Sequence, residues 1–154
     1  MPASRKKTLG AIVYLVQERH SSYGRDSLVL LRQSVSQLFE FYNRVQQDPV
    51  LFFHTGQFSN SSQRQILDLC GNSPAEFVEL DQRVHWTVPS GVDQSSWRLA
   101  RRFSSGYRHM CKFFLIGIWP LIAARGFEFA MRMDEDSFIW SPITYNVFEY
   151  MQRR

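Results

Sequence analysis

Cysteine is scarce in this sequence. Cys70 and Cys111 stand alone, with no CxxC pair and no metal-ligand spacing, which removes zinc-ribbon and thioredoxin-like readings. The two thiols either close one disulfide in an oxidising lumen or serve as small buried residues. Also lacking are a GxSxG elbow, a GxxxxGK[ST] loop and a GxGxxG turn. Those motifs expose a nucleophile or cradle phosphates, so hydrolase, P-loop and dinucleotide-binding readings lose their main support. No apolar run approaches the roughly 20 residues that cross a bilayer. The start, Met1 to Lys7, is basic but lacks the apolar stretch of a signal peptide. Residues 1–8 are therefore expected to form a disordered basic leader to a soluble chain. Internal repeats and low-complexity tracts are missing too, so residues 9–154 are expected to form one compact unit.

Basic charge exceeds acidic charge by a modest margin, with 18 Lys and Arg against 14 Asp and Glu. The excess is scattered or sits at the ends, in Arg5-Lys6-Lys7 and Arg153-Arg154. Nucleic-acid binding favours a basic stripe on one face, so nucleic acid is not the expected partner. A phosphate-bearing small molecule suits the same charge. Apolar residues, by contrast, are plentiful: 44% of the chain is hydrophobic and 13 residues are Phe, enough for a substantial core.

The order of elements is legible in the pattern. Leu9 to Val16 is a continuous apolar, β-branched run, the signature of a strand buried on both faces in a parallel sheet. Ser27 to Phe41 has helical spacing. Val50 to Phe53 is a second buried strand, and Ser59 to Leu69 a helix capped by Ser59 or Asn60 and stopped by Gly71. Ala75 to Leu80 is a third strand. Asp81 to Ser105 reads as a long loop with a short helix. Tyr107 to Phe114 is helical, with Tyr107, Met110, Cys111 and Phe114 on one face, and a further helical turn opens at Pro120. Gly126 to Met133 is a fourth strand, and Ser141-Pro142 starts a final helix. Strands alternating with helices predict an α/β fold around a mostly parallel sheet.

The chemistry concentrates in Asp134-Glu135-Asp136, directly after the fourth strand. In open α/β sheets, ligands bind beyond the carboxyl ends of strands. Carboxylates there are oxygen ligands for a hard divalent cation, which can neutralise a diphosphate leaving group. The other reading is a solvated acidic turn. In an extended segment Asp134 and Asp136 share one side and Glu135 faces the other. Arg132 either pairs with a carboxylate or reaches a phosphate. Tyr107 and Arg108 are candidates for a place near that diphosphate, against the alternative of an ordinary amphipathic helix. His54 ends the second strand, as a ligand contact or as a hydrogen-bonded structural histidine.

Three segments together carry a resemblance: YRHMCKFF (Tyr107 to Phe114), MRMDEDSF (Met131 to Phe138) and SPITYNVFEYM (Ser141 to Met151). In order and type they resemble the fungal-type α-1,2-mannosyltransferase family, with its Tyr-Arg-x-Met-Cys-Arg-Phe and Tyr-Trp-Arg-Val-Glu-Pro-Asp segments. Leu9 to Val16 and Val50 to Phe58 are similar to that family's first two strands, so the likeness runs through the whole chain. It implies a GT-A glycosyltransferase fold, a metal-dependent sandwich that uses GDP-mannose and Mn²⁺ to mannosylate a glycan or glycoprotein acceptor, with retention, in the Golgi. By position, Asp134 and Asp136 are implied metal ligands, Tyr107 an implied catalytic residue near donor and acceptor, and Arg132 matches the arginine before the acidic motif; Arg108 and His54 stay candidate substrate contacts on their own places in the chain, beside the helix start and at the strand end. Two departures are visible. The acidic motif is Asp-Glu-Asp where the family has Glu-Pro-Asp, and the second strand ends in His54-Thr55-Gly56 where the family has an Asn-Asp/Glu type. The family domain also continues beyond the last of these segments, and its later half brings a histidine metal ligand and an acidic residue. The chain is therefore expected to be the nucleotide-binding half of a larger enzyme, truncated at its C-terminus.

Overall fold

The computed structural model describes residues 9–19, 26–93 and 105–154. The expected leader, residues 1–8, lies outside them. The described residues form a four-stranded parallel sheet in the order β3-β2-β1-β4, made of β1 (Gly10–Leu15), β2 (Val50–His54), β3 (Ala75–Glu79) and β4 (Phe129–Met133). Every residue of β2 is buried, and all of β1 except Leu15. That is why both strands read as unbroken apolar runs: each has a neighbour on both edges and helices on both faces. The outer strands β3 and β4 are only partly buried and tolerate Glu76, Glu79 and Arg132.

Alternation along the inner strands feeds two cores. Ile12, Tyr14, Val50 and Phe52 pack against Leu31, Val35 and Leu38 of α1 (Ser27–Leu38), Ile66 and Cys70 of α3 (Asn60–Cys70), and Phe148 of α7 (Val147–Gln152). Ala11, Val13, Leu51 and Phe53 pack on the other face against Phe113, Ile118 and Ile122. Asp26 caps α1 and Ser59 caps α3 through side-chain oxygens that accept N–H groups of the first turn.

The helix from α1 runs on through a π turn at Phe39–Asn43 and a last turn, α2 (Arg44–Gln46), ending at Gln47 in the left-handed region (φ 55°). The π turn brings Tyr42 and Asn43 into the interior, where they bind Asp48. Tyr42 donates to Asp48 Oδ2 at 2.6 Å, and Asn43 exchanges two hydrogen bonds of 2.9 Å with the Asp48 backbone.

Of the long loop with a short helix expected over residues 81–105, the described part holds α4 (Gln82–His85), and residues 94–104 lie outside the described residues. The segments expected near Tyr107 and Pro120 are instead one continuous helix: α5 (Ser105–Lys112), a π turn at Phe113–Gly117, and α6 (Ile118–Ala123). The wide turn absorbs Pro120, which has no N–H to donate and whose ring crowds the preceding turn. The Leu115 carbonyl is met by the Trp119 indole N–H at 3.1 Å. The π turn also rotates the expected apolar face. Phe113 is buried, whereas Tyr107 and Cys111 are exposed. Cys70 is buried, and neither cysteine is in a disulfide.

Two other boundaries differ from expectation. Gly126 is not in the strand: at φ 80° it closes α6, with Phe127 N–H donating to the Ile122 carbonyl at 3.2 Å, a left-handed helix stop. The final helix starts at Val147 and not at Ser141-Pro142. Its cap is Asn146, whose Oδ1 accepts from Phe148 and Glu149 while its Nδ2 donates to Asp48 at 3.1 Å. A cap that also binds a buried carboxylate outweighs a favourable proline.

Helix α7 reaches the sheet because β1 begins with a glycine. A Cβ on Gly10 would lie 2.4 Å from the Phe148 ring. Gly10→Ala is therefore expected to destabilise the fold by about 1–3 kcal/mol, the usual cost of overpacking. Adding Phe148→Leu should recover part of the lost Tm in thermal melts, and a double variant no better than the single one would show that the clash lies elsewhere.

Candidate nucleotide and metal site

The strand order places the site. From β1 the chain moves outward to β2 and β3, then returns to β4 on the other edge of β1. The reversal makes a switch point between β1 and β4, where open α/β sheets form their ligand crevice beyond the strand ends. Gln17, Glu18 and Arg19 follow β1 there, and Asp134 to Ser137 follow β4.

Asp134 to Ser137 form a turn and not an extended segment. Ser137 N–H donates to the Asp134 carbonyl at 2.9 Å, and Asp134 N–H donates to Ser137 Oγ at 3.0 Å. The turn is tied to the core by a hydroxyl relay. Ser34 Oγ donates to the Ser137 carbonyl at 2.6 Å and so accepts from the Tyr14 hydroxyl at 3.0 Å. Burial raises the Tyr14 phenol far above its ordinary pKa, so it remains a donor at any working pH.

The three carboxylates have three different surroundings. Asp134 is gripped by Arg132 through two hydrogen bonds, 2.9 Å from Nε and 3.1 Å from the terminal nitrogen. The same guanidinium lies 3.8 Å from the centre of the Phe114 ring. Glu135 turns inward against Ser27 and Gln17. Burial raises its pKa, with Ser27 and Gln17 pulling it partly back, and neither its Oε2 nor Ser27 Oγ closes a hydrogen bond of full geometry. Asp136 is exposed to solvent. Among the described residues no group of three His, Cys, Asp or Glu side chains gathers as a metal centre would. What is present fits part of a hard-cation site: two aspartates with the right oxygen chemistry, one of them engaged by an arginine.

Of the residues singled out in the sequence, Arg132, Asp134 and Asp136 stand together at the switch point. Tyr107 and Arg108 lie in the first turn of α5, Tyr107 exposed and Arg108 partly buried. His54 is on the far side of β1, at the end of β2, buried between the rings of Phe58 and Phe77. Its Nδ1 accepts from Gly56 N–H at 3.1 Å, so the neutral ring carries its proton on Nε2. Residues that the pattern did not reveal are Ser34, Tyr14, Phe114 and Glu18. Glu18 accepts from Ser59 N–H at 2.7 Å, and its hydrogen bonds to Ser59 and Ser62 hold its carboxyl below the usual range. A lone serine in a helix carries no signal of its partner, so spacing had nothing to offer for Ser34.

Two outcomes are expected here. Ser34→Ala would strand the Tyr14 hydroxyl and the Ser137 carbonyl, and should cost about 1–3 kcal/mol in denaturant unfolding. An unchanged midpoint would exclude the relay as a tether. His54 has its pKa lowered, burial outweighing the opposite pull of Glu79. Between that lowered value and about 6.5 the unfolded chain binds more protons at this position, so stability is lost as pH falls through the window. Wild type should lose more Tm than His54→Gln between pH ~7 and ~5. Parallel curves would remove His54 as the cause.

Comparison with known proteins agrees with this geometry. The family profile described as glycolipid 2-alpha-mannosyltransferase matches residues 3–154. Glycolipid 2-alpha-mannosyltransferase 1 of Candida albicans is 22% identical over 136 residues, which is 81% of this chain but 31% of that protein. The X-ray structure of the mannosyltransferase Ktr4p from Saccharomyces cerevisiae superposes with a TM-score of 0.78 at 22% identity, covering 96% of this chain and 37% of that one. Core-mannan synthase A from Aspergillus fumigatus, solved in its Mn/GDP form, gives a TM-score of 0.76 at 16% identity, over 98% of this chain and 41% of that one. The expected GT-A-like α/β fold is thus the fold of these transferases. With its profile matched nearly end to end, the chain belongs to the glycolipid 2-alpha-mannosyltransferase family.

Proposed function

We propose that this chain provides the donor-nucleotide half of a metal-dependent α-1,2-mannosyltransferase, binding GDP-mannose for transfer to a glycan or glycoprotein acceptor. The observation that carries the proposal is the carboxylate turn anchored at the β1/β4 switch point, in a chain of this family. The Mn/GDP form of core-mannan synthase A supports the choice of nucleotide and cation. Residues 9–154 are then a partial GT-A domain. The chain spans about a third of the curated relatives, 31% of the Candida albicans protein. Golgi residence is proposed on family membership alone; among the described residues no helix is long and apolar enough to cross a membrane.

Asp134 and Asp136 would hold the cation, Mn²⁺ or a similar divalent ion, with further ligands from the diphosphate and from beyond these residues. Bound there, the ion would act as a Lewis acid on the departing diphosphate. Arg132 and Arg108 add positive charge for the phosphates, and Tyr107 orients donor and acceptor from the start of α5. For His54, only Nε2 is left to meet a ligand, since Nδ1 is used by Gly56.

Calorimetric titration of GDP-mannose with and without Mn²⁺ tests this. Binding is expected to need Mn²⁺ and to weaken about tenfold or more in Asp136→Ala. Binding indifferent to both the ion and the substitution would overturn the proposal. The 154-residue chain alone is expected to bind with little or no transfer. Robust turnover by it would refute the division of the site. A nucleotide-sugar binding module without catalysis is the second reading, favoured by the lack of a three-ligand cluster among the described residues. It requires that no transfer be found even with a family-length protein carrying these residues.

A further inference from the structure

We infer that Phe114 is a positioning residue that acts through Arg132 to control whether Asp134 is free to take a cation. The inference rests on the metal reading proposed above and concerns residues to which that reading gives no such role. Arg132 is held on two sides. Its guanidinium lies 3.8 Å from the centre of the Phe114 ring, and its Nε and terminal nitrogen grip both oxygens of Asp134 at 2.9 and 3.1 Å. A planar guanidinium can stack on a ring and present its fork to a carboxylate at the same time, which an ammonium cannot. Arg132 and Asp134 are two residues apart at the end of β4, so the pair forms without distorting the turn.

The ring is itself fixed. Phe114 belongs to the π turn at Phe113–Gly117, and its neighbour Phe113 is buried in the core with the two rings 5.4 Å apart. Such π turns often mark functional positions. The backbone of the acidic turn is fixed from the other side by Ser34. A rigid turn, a rigid ring and one movable guanidinium between them make a latch. With the latch closed, each Asp134 oxygen is engaged by the guanidinium, whose positive charge opposes a cation there, while Asp136 is open to solvent. A cation taking Asp134 as its second carboxylate would compete with Arg132 for it, and a guanidinium so displaced would be available to the phosphates of a bound nucleotide.

Two directions of substitution separate this role from simple packing. Phe114→Leu removes the ring face while keeping an apolar side chain, and Phe114→Trp strengthens it, since Trp is the better cation acceptor. The first readout needs no metal: the Arg132 Nε–H signal in nitrogen–proton correlation spectra of the 154-residue chain. Relative to wild type, its exchange is expected to be faster in Phe114→Leu and slower in Phe114→Trp. The second is Mn²⁺ affinity at saturating GDP, read from the free-ion paramagnetic resonance signal. Phe114→Leu should bind Mn²⁺ about twofold to fivefold more tightly, the range that a cation–π contact at an exposed site is worth, and Phe114→Trp more weakly. A packing role alone would loosen the site and weaken Mn²⁺ binding in both variants. The latch is overturned if the Arg132 signal is the same in all three proteins, or if folded Phe114→Leu binds Mn²⁺ no more tightly than wild type. If Phe114→Leu does not fold, Phe114→Trp decides alone: an unchanged or tighter affinity overturns the latch. A wild-type chain blind to Mn²⁺ refutes the metal reading, an outcome distinguishable from failure of the latch because the Arg132 signal is read without the ion.

Discussion

Pairing of β1 on both edges is the constraint on which the rest of the structure depends. Ile12 N–H donates to the Pro49 carbonyl and Val16 N–H to the Phe53 carbonyl, both at 2.8 Å, while the Leu9 carbonyl accepts from Glu128 and Phe129 on the opposite side. A strand with neighbours on both edges and helices on both faces is apolar along its length, since every position but its last, Leu15, is buried. It also decides where the chain reverses. With β2 on one edge of β1 and β4 on the other, the ends of β1 and β4 become the crevice. The acidic turn lies there because of sheet order, whatever its own local preferences.

The same constraint explains which parts of the fold are legible in the sequence. Runs such as Leu9 to Val16 and Val50 to Phe53 announce themselves because full burial leaves no alternation to misread. Ser59 and Gly71 mark the ends of α3 because capping is a local interaction between neighbours in the chain. The start of α7 is not legible locally, for the opposite reason. Asn146 is the cap because its amide reaches Asp48, 98 residues away, and a partner at that separation leaves no mark in a local window. The π turn at Phe113–Gly117 likewise leaves no signal in residue spacing. It shifts the helical phase, so a face read at regular spacing puts Cys111 inside, whereas the structure buries Phe113 and leaves Cys111 in water.

At the candidate site, sequence located the charges but not their states. Three adjacent carboxylates read as one acidic cluster, yet they meet three environments within a single turn. Asp134 is paired, Glu135 is turned inward with its pKa raised by burial, and Asp136 is open to solvent. Glu135 stands where the resembling family pattern has proline. A buried carboxyl with an oxygen lacking a hydrogen bond is a cost that proline would not carry, and the inward turn of Glu135 spares the aspartates a third like charge on the same side. The cluster is thus closer to two separated aspartates than to a concentrated negative charge.

Rigidity and adjustability are divided between different parts of this turn. Its backbone is tied through Ser137 and Ser34 to Tyr14, a side chain with no exposure at all, so the turn cannot drift without opening the core. Its charge is adjustable, because an exposed arginine–aspartate pair is worth only about 0–1 kcal/mol and exchanges partners readily. A transferase must accept a nucleotide-bound cation and release the nucleoside diphosphate in each cycle. A carboxylate committed permanently to a metal would hinder release, and one with no alternative partner would leave an unscreened charge in the empty crevice. On the proposed reading Asp134 would avoid both extremes: Arg132 pairs with it in this structure, and so exposed a pair is weak enough to be exchanged for a cation.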